Sequence, residues 1–210
     1  PAECATLTPG NTELSISLLD RRFLAGDRFL YERLEERLPD FFRREGPALL
    51  RELAELTRSR WAKHGHTIYH LEPHVKDGPG GMRDLHLIGW ISRLAREAPE
   101  DSTAALGEAR RFLFALRCPL HYLNERDSNQ LTFEHQEKIA GEDAGAWMRQ
   151  YYRYVRVVHR VAGRLVEETT TPQHSLFTLF RDRKARLSNP DFAVARGMVD
   201  LLINRLLVVR

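Results

Sequence analysis

Cysteine is nearly absent: Cys4 and Cys118 are the only two in 210 residues, far apart and in no pattern. Two lone thiols exclude a disulfide framework and suit a reducing, cytoplasmic setting. No apolar run approaches the roughly 18–20 residues that a membrane helix needs. Lysine is scarce, since 28 of the 32 basic residues are arginine, and 29 acidic residues hold the net charge to +3. So small an excess points to neither nucleic acid nor a membrane surface as partner. Several catalytic signatures are missing. There is no G-x-x-x-x-G-K-[ST] loop, no Gly-Ser followed by an Asp-x-Asp pair to hold two metal ions, and no His-Asp dipeptide. Without an initiator Met or a leader pattern at Pro1, the chain reads as a piece of a longer protein, inactive by itself.

What remains is 42% hydrophobic and 29% charged, a globular composition with a helical period. Asn11-Thr12 is a cap pair opening a helix with Leu14, Leu18 and Leu19. Gly26-Asp27 breaks or re-caps it, and Phe29, Leu30, Leu34 and Leu38 continue to Pro39. Pro39-Asp40 then starts a further helix, interrupted at Gly46-Pro47 and stopping near Gly65. Residues 66–80 read as a loop. Helices follow from Gly81, over 103–123, from Phe133 to Ala140, and from Ala144 to Thr169, with a turn at Pro99 to Ser102. After Pro190 the period shortens, and Arg196-Gly197 could turn a hairpin; Leu201 to Arg210 could equally be a helix. The fold class is therefore all-α, a multi-helix bundle over residues 1–188. Residues 189–210 form a linker or short β-hairpin leading toward a further domain.

The most informative stretch runs from Leu71 to Leu85, where Gly78, Pro79, Gly80 and Gly81 precede a helix start between Lys76 and Arg83. Helix-start N–H groups carry partial positive charge, and glycines allow an anion or another backbone to come close. Asp84 could pair with Arg83 or a neighbouring base. The plain alternative is a tight loop joining two long helices. His64, His66, His70, His74 and His86 cluster nearby, but Gly65 and Pro73 break the register that metal ligands would need, so no metal site is expected. Arg149, Arg153, Arg156, Arg160 and Arg164 repeat every three or four residues and share one helix face. That face is either solvated or a docking surface for an acidic partner. Glu125-Arg126-Asp127 reads as local ion pairing.

The loop resembles the central signature of the bifunctional PII uridylyltransferase/uridylyl-removing enzymes, roughly E-P-x-x-K-x-G-P-G-G-x-R-D-L. Glu72, Pro73, Lys76, Gly78, Pro79, Gly80, Gly81, Arg83, Asp84 and Leu85 match it. His74 and Asp77 stand where Asn and Glu are usual. Ser17 to Asp27, the set Arg117, Leu120-His121, Arg126-Asp127 and Leu131 to Ala140, and Met148 to Arg153 are similar to further segments of that family in the same order. A looser form of the loop occurs in glutamine synthetase adenylyltransferase.

The resemblance implies a helical domain that follows a nucleotidyltransferase domain and closes its nucleotide cleft in nitrogen regulation. UMP would pass from UTP to a tyrosine of a PII-type protein. Mg²⁺ would be held by carboxylates of the transferase domain, and this chain would bind neither UTP nor metal tightly. Lys76, Gly78, Gly80, Gly81, Arg83 and Asp84 are the implied phosphate-binding set. Arg149, Arg153, Arg156 and Arg160 are the docking set, with the transferase domain of the same parent and the PII-type protein as partners. A non-catalytic interaction module, or a relative that transfers AMP, are the competing readings.

Overall fold

Local capping decides where the first helices begin. The Asn11 side chain accepts from the Leu14 amide at 3.0 Å and opens α1 (Thr12–Leu19). Asp27 does the same for α2 (Arg28–Lys63), accepting from the Phe29 amide at 2.9 Å. The structure, a computed structural model, describes residues 10–95 and 104–170 and the strands at 187–189, 192–195 and 198–201. The chain divides into two compact units, Pro1–Thr171 and Pro172–Arg210.

Helix α2 corrects one expectation. It is a single helix of 36 residues that passes through both Pro39 and Pro47. Each internal proline costs about 3 kcal/mol through a lost N–H and a crowded carbonyl. Against this, Leu38, Phe41, Leu49, Leu50, Leu53 and Trp61 are all buried along one side of the helix. At roughly 1.5–3 kcal/mol per large apolar side chain, that burial exceeds the cost of two prolines. Helix α2 ends at His64, after which Gly65 and His66 take left-handed φ angles of 60° and 53°.

The remaining helices are α3 (Met82–Ala95), α4 (Ala104–Asn124), α5 (Phe133–Ala140) and α6 (Ala144–Thr170), with a 3₁₀ turn at Gly141–Asp143. The last helix is the central post, packing against α2, α3, α4 and α5. Its inner side carries Tyr151, Val155, Val158, Val161, Ala162, Leu165 and Val166, all buried. Phe112 of α4 meets the rings of Trp147, Tyr151 and Tyr154. At the other end, Asp20 pairs with Arg93 and accepts from Trp90 Nε1 at 2.6 Å, which ties the end of α1 to α3.

In the second unit three short strands pair antiparallel in the order β1 (Leu187–Asn189), β2 (Phe192–Ala195), β3 (Met198–Leu201). The expected turns at Arg196-Gly197 and Pro99–Ser102, and the stretch after Leu201, lie outside the described residues.

Leu113 of α4, with 0% exposure, tests this packing. Leu113→Ala should cost about 2–5 kcal/mol in thermal or urea unfolding. Leu71→Ala, at a position 73% exposed, should leave the unfolding midpoint nearly unchanged.

Candidate functional site

The glycine loop is fixed from outside by a segment far along the chain. Val75 N–H donates to the Asn129 carbonyl at 2.8 Å, and Leu131 N–H to the Pro73 carbonyl at 3.0 Å. These bonds frame an antiparallel bridge between His74 and Gln130. Glu72 Oε1 accepts from the Phe133 amide at 2.9 Å, serving an N–H at the start of α5 that has no partner within the helix. Gln136 Nε2 donates to the carbonyls of Leu71 and Leu131 at 2.7 and 3.1 Å. Two sequence signatures roughly sixty residues apart are thus one structural unit.

From inside, the loop is held by Asp84, whose carboxylate has 0% exposure. Arg60 donates to it, and the other guanidinium nitrogen of Arg60 reaches the Asp77 carbonyl at 2.8 Å. Trp61 Nε1 lies 3.1 Å from both carboxylate oxygens, and Gly80 N–H donates to Oδ2 at 2.6 Å. His159 of α6 stands 3.9 Å from Oδ2 and edge-on to Trp61. Asp84 belongs to the phosphate-binding set that the family resemblance implies, and its position also allows pairing with Arg83 or a neighbouring base. The structure turns it inward, where it pairs with a neighbouring base, Arg60.

The glycines are explained by backbone crowding. A Cβ on Gly80, which has φ +75°, would overlap the Val155 carbonyl of α6. A Cβ on Gly78 would lie 2.6 Å from the His74 carbonyl, and one on Gly81 would lie 2.5 Å from that of Val75. Of the two close approaches the sequence allowed, the structure has protein backbone at these three positions. The amides are also occupied. Gly78 N–H donates to His74 at 2.9 Å, Gly81 to Gly78 at 2.9 Å, Met82 to Val75 at 3.0 Å and Arg83 to Lys76 at 2.9 Å. With these N–H groups occupied, the groups that the loop leaves available are side chains.

Those side chains form a cationic face. Lys76 is half-buried, and Arg83, with its side chain 43% exposed, lies 3.5 Å from Asp77. From α4, Arg117 donates to Asn129 Oδ1 at 2.9 Å and pairs with Asp127 at 3.4 Å. Asp127 is held below the usual carboxylate range, first by its hydrogen bond from Asn129 and then by the charges of Lys76, His121 and Arg117. His86 is pushed down, first by burial and then by Arg83, with Arg110 and Arg117 adding to the effect and Asp20 opposing it. Arg117 did not stand out as a site residue in the sequence. Its only signal was its place in the second family-like segment.

The arginine stripe lies where its spacing placed it. Arg149, Arg153, Arg156 and Arg160 are exposed on α6, opposite the buried Val155 and Val158, while Arg164 is half-buried. Arg156 donates to Tyr69 Oη at 2.8 Å, and Arg153 lies over the Tyr154 ring. The histidines converge in part. His64 packs near His70 and His74, His70 Nε2 lies 2.7 Å from the His64 carbonyl, and His74 Nδ1 accepts from the Asp77 amide at 2.9 Å. Among the described residues, no three His, Cys, Asp or Glu side chains are arranged to hold a metal ion.

The family described as GlnD PII-uridylyltransferase matches residues 48–166, which hold the loop, the cationic face and the stripe. A bifunctional uridylyltransferase/uridylyl-removing enzyme of Methylococcus capsulatus is 34% identical over 77% of this chain and 21% of its own length. Its counterpart in Cereibacter sphaeroides is 30% identical over 95% of this chain and 24% of its own length. That of Rhodospirillum rubrum is 32% identical over 74% of this chain and 19% of its own length. The chain therefore spans about a quarter or less of these relatives. No solved structure matches it.

Two glycine substitutions separate the loop seat from ordinary helix effects. Gly80→Ala adds a methyl against the α6 backbone at a left-handed φ, and should lower stability by more than about 2 kcal/mol. Gly163→Ala, mid-helix in α6 with nothing within 4 Å of the new Cβ, should raise it by about 0.5–1 kcal/mol. Chemical denaturation of both variants checks the pair.

Proposed function

We propose a function from one premise: the chain belongs to the GlnD PII-uridylyltransferase family. In our reading it is a helical domain that closes the UTP site of a nucleotidyltransferase domain in the same protein, and the whole enzyme transfers UMP to a PII-type protein. The observation that carries this is a loop pinned from both sides that joins Lys76 to Arg83 by a backbone hydrogen bond, beside Arg117, whose charge acts with that of Lys76 on Asp127 and with that of Arg83 on His86. Pyrophosphate leaves as negative charge develops on its oxygens, and fixed cations placed there stabilise that charge without reorganising. The Arg83 amide bonded to the Lys76 carbonyl at 2.9 Å keeps the two charge-bearing residues in register.

Magnesium does not fit this face. Asp77 and Asp127 are its carboxylates, and they are engaged by Arg83 and by Arg117 and Asn129. In this reading the metal belongs to the transferase domain. The base is assigned by family alone, because lysine and arginine meet phosphates and not the ring.

Lys76→Ala and Arg83→Ala in the full-length enzyme should each lower transfer about ten- to a hundredfold, the worth of one charge-assisted contact. The melting temperature should stay put. A lowered melting temperature with normal activity per folded molecule would mean a purely structural role and sink the reading.

His86 gives a second test. Arg83 and its neighbours disfavour the imidazolium, so an anion beside Arg83 should favour it. The NMR-monitored pKa of His86 should therefore rise when inorganic triphosphate is added at millimolar concentration. Arg83→Ala should also raise it, and should remove the response to triphosphate.

A further inference from the structure

Helix α6 has two sides with different occupations. Its inner side seats the glycine loop, through the Val155 backbone against Gly80 and through His159 near Asp84. Its outer side presents Arg149, Arg153, Arg156 and Arg160, and among the described residues none of the four lies within ion-pair distance of a carboxylate. Eleven rises of about 1.5 Å from Arg149 to Arg160 make this a row about 16 Å long. Beside it stands an apolar margin. Arg156 holds Tyr69, which is 58% exposed, and two residues on is Leu71, 73% exposed. Glu72 then ties that loop to Phe133, 54% exposed at the start of α5.

We infer that this outer face of α6, with Tyr69, Leu71 and Phe133, docks an acidic surface of the protein substrate. The inference rests on the reading above, in which that substrate is a PII-type protein. Three observations favour it. An unneutralised arginine row attracts carboxylates, and arginine gives them paired, directional hydrogen bonds. Exposed tyrosine, leucine and phenylalanine beside arginine are the make-up of a protein interface. A nucleic-acid duplex would leave those apolar side chains without a partner, and the chain as a whole carries a net charge of only +3. Finally, the row is on the helix that seats the loop.

The test is binding of this 210-residue chain to a PII-type protein, measured by titration calorimetry at low and high salt. Wild type should bind, and affinity should fall steeply as salt shortens the Debye length. Arg153→Glu/Arg160→Glu should weaken binding at least about tenfold with an unchanged melting temperature, since both side chains are exposed. Leu71→Ser should weaken it less, and without changing the salt dependence. Arg33→Glu/Arg37→Glu makes the same charge change on the exposed side of α2 and should bind like wild type. Three results would overturn the inference: no binding by wild type, equal loss in the α2 control, or a wild-type chain that binds duplex DNA through these arginines and not PII. The outcome is independent of the Lys76 and Arg83 transfer assay. Docking can stand while the nucleotide reading fails, and the reverse.

Discussion

Asp84 is an ionisable group with no exposed surface, and the rest of the loop takes its shape from satisfying it. A lone buried carboxylate costs several kcal/mol, and the cost is offset only when paired charge and hydrogen bonds surround it. Here three partners come from two places: Arg60 and Trp61 on the last turns of α2, and the Gly80 amide in the loop. The same Arg60 reaches on to the Asp77 carbonyl, so one guanidinium spans the base of the loop. Removing either member of such a pair typically costs 3–5 kcal/mol, because the other is left charged and dry. That makes Asp84 a positioning residue, acting on Lys76 and Arg83 through the backbone they share.

The second constraint is the close approach of Gly80 to α6. A loop pressed against a helix backbone can be rigid without being large, since any lateral shift meets the Val155 carbonyl. The consequence reaches the other side of the helix. Tyr151, Val155 and Val158 must face inward to seat the loop and the α4 aromatics. With 3.6 residues per turn, the arginines at intervening positions must then face out. The orientation of the arginine face is set by what the loop requires of the helix.

Much of this was legible locally. Asn11, Asp27 and the Phe133–Ala140 helix follow from capping and period, and the arginine stripe from spacing alone. The continuity of α2 was not, because proline is a strong local signal while the burial that overrides it is tertiary. The role of the glycines was ambiguous for a related reason. A glycine accommodates anything that comes close, and here the neighbour at Gly80 is a carbonyl some seventy-five residues further along. Asp84 was legible as one half of an ion pair, but not which base it takes, because Arg60 lies twenty-four residues back on a different helix. Arg117 was missed because a single arginine on an amphipathic helix has no signature until Asn129 and Asp127 fold against it.

Magnitudes also bear on the proposal that this face is one half of a site. Its amides are spent within the loop, so in the proposed reading Lys76, Arg83 and Arg117 are the groups left to meet phosphate. Three charge-assisted contacts at about 1.5–3 kcal/mol each give roughly 5–9 kcal/mol. Immobilising a ligand costs an estimated 4–15 kcal/mol in lost translational and rotational freedom. The balance leaves weak binding to the isolated face. It becomes substantial only when an opposing wall has already taken the nucleotide out of solution. On that arithmetic the face contributes little to capture. In the proposed reading it would contribute most where charge grows on a leaving group already in place, where a difference between ground state and transition state becomes rate.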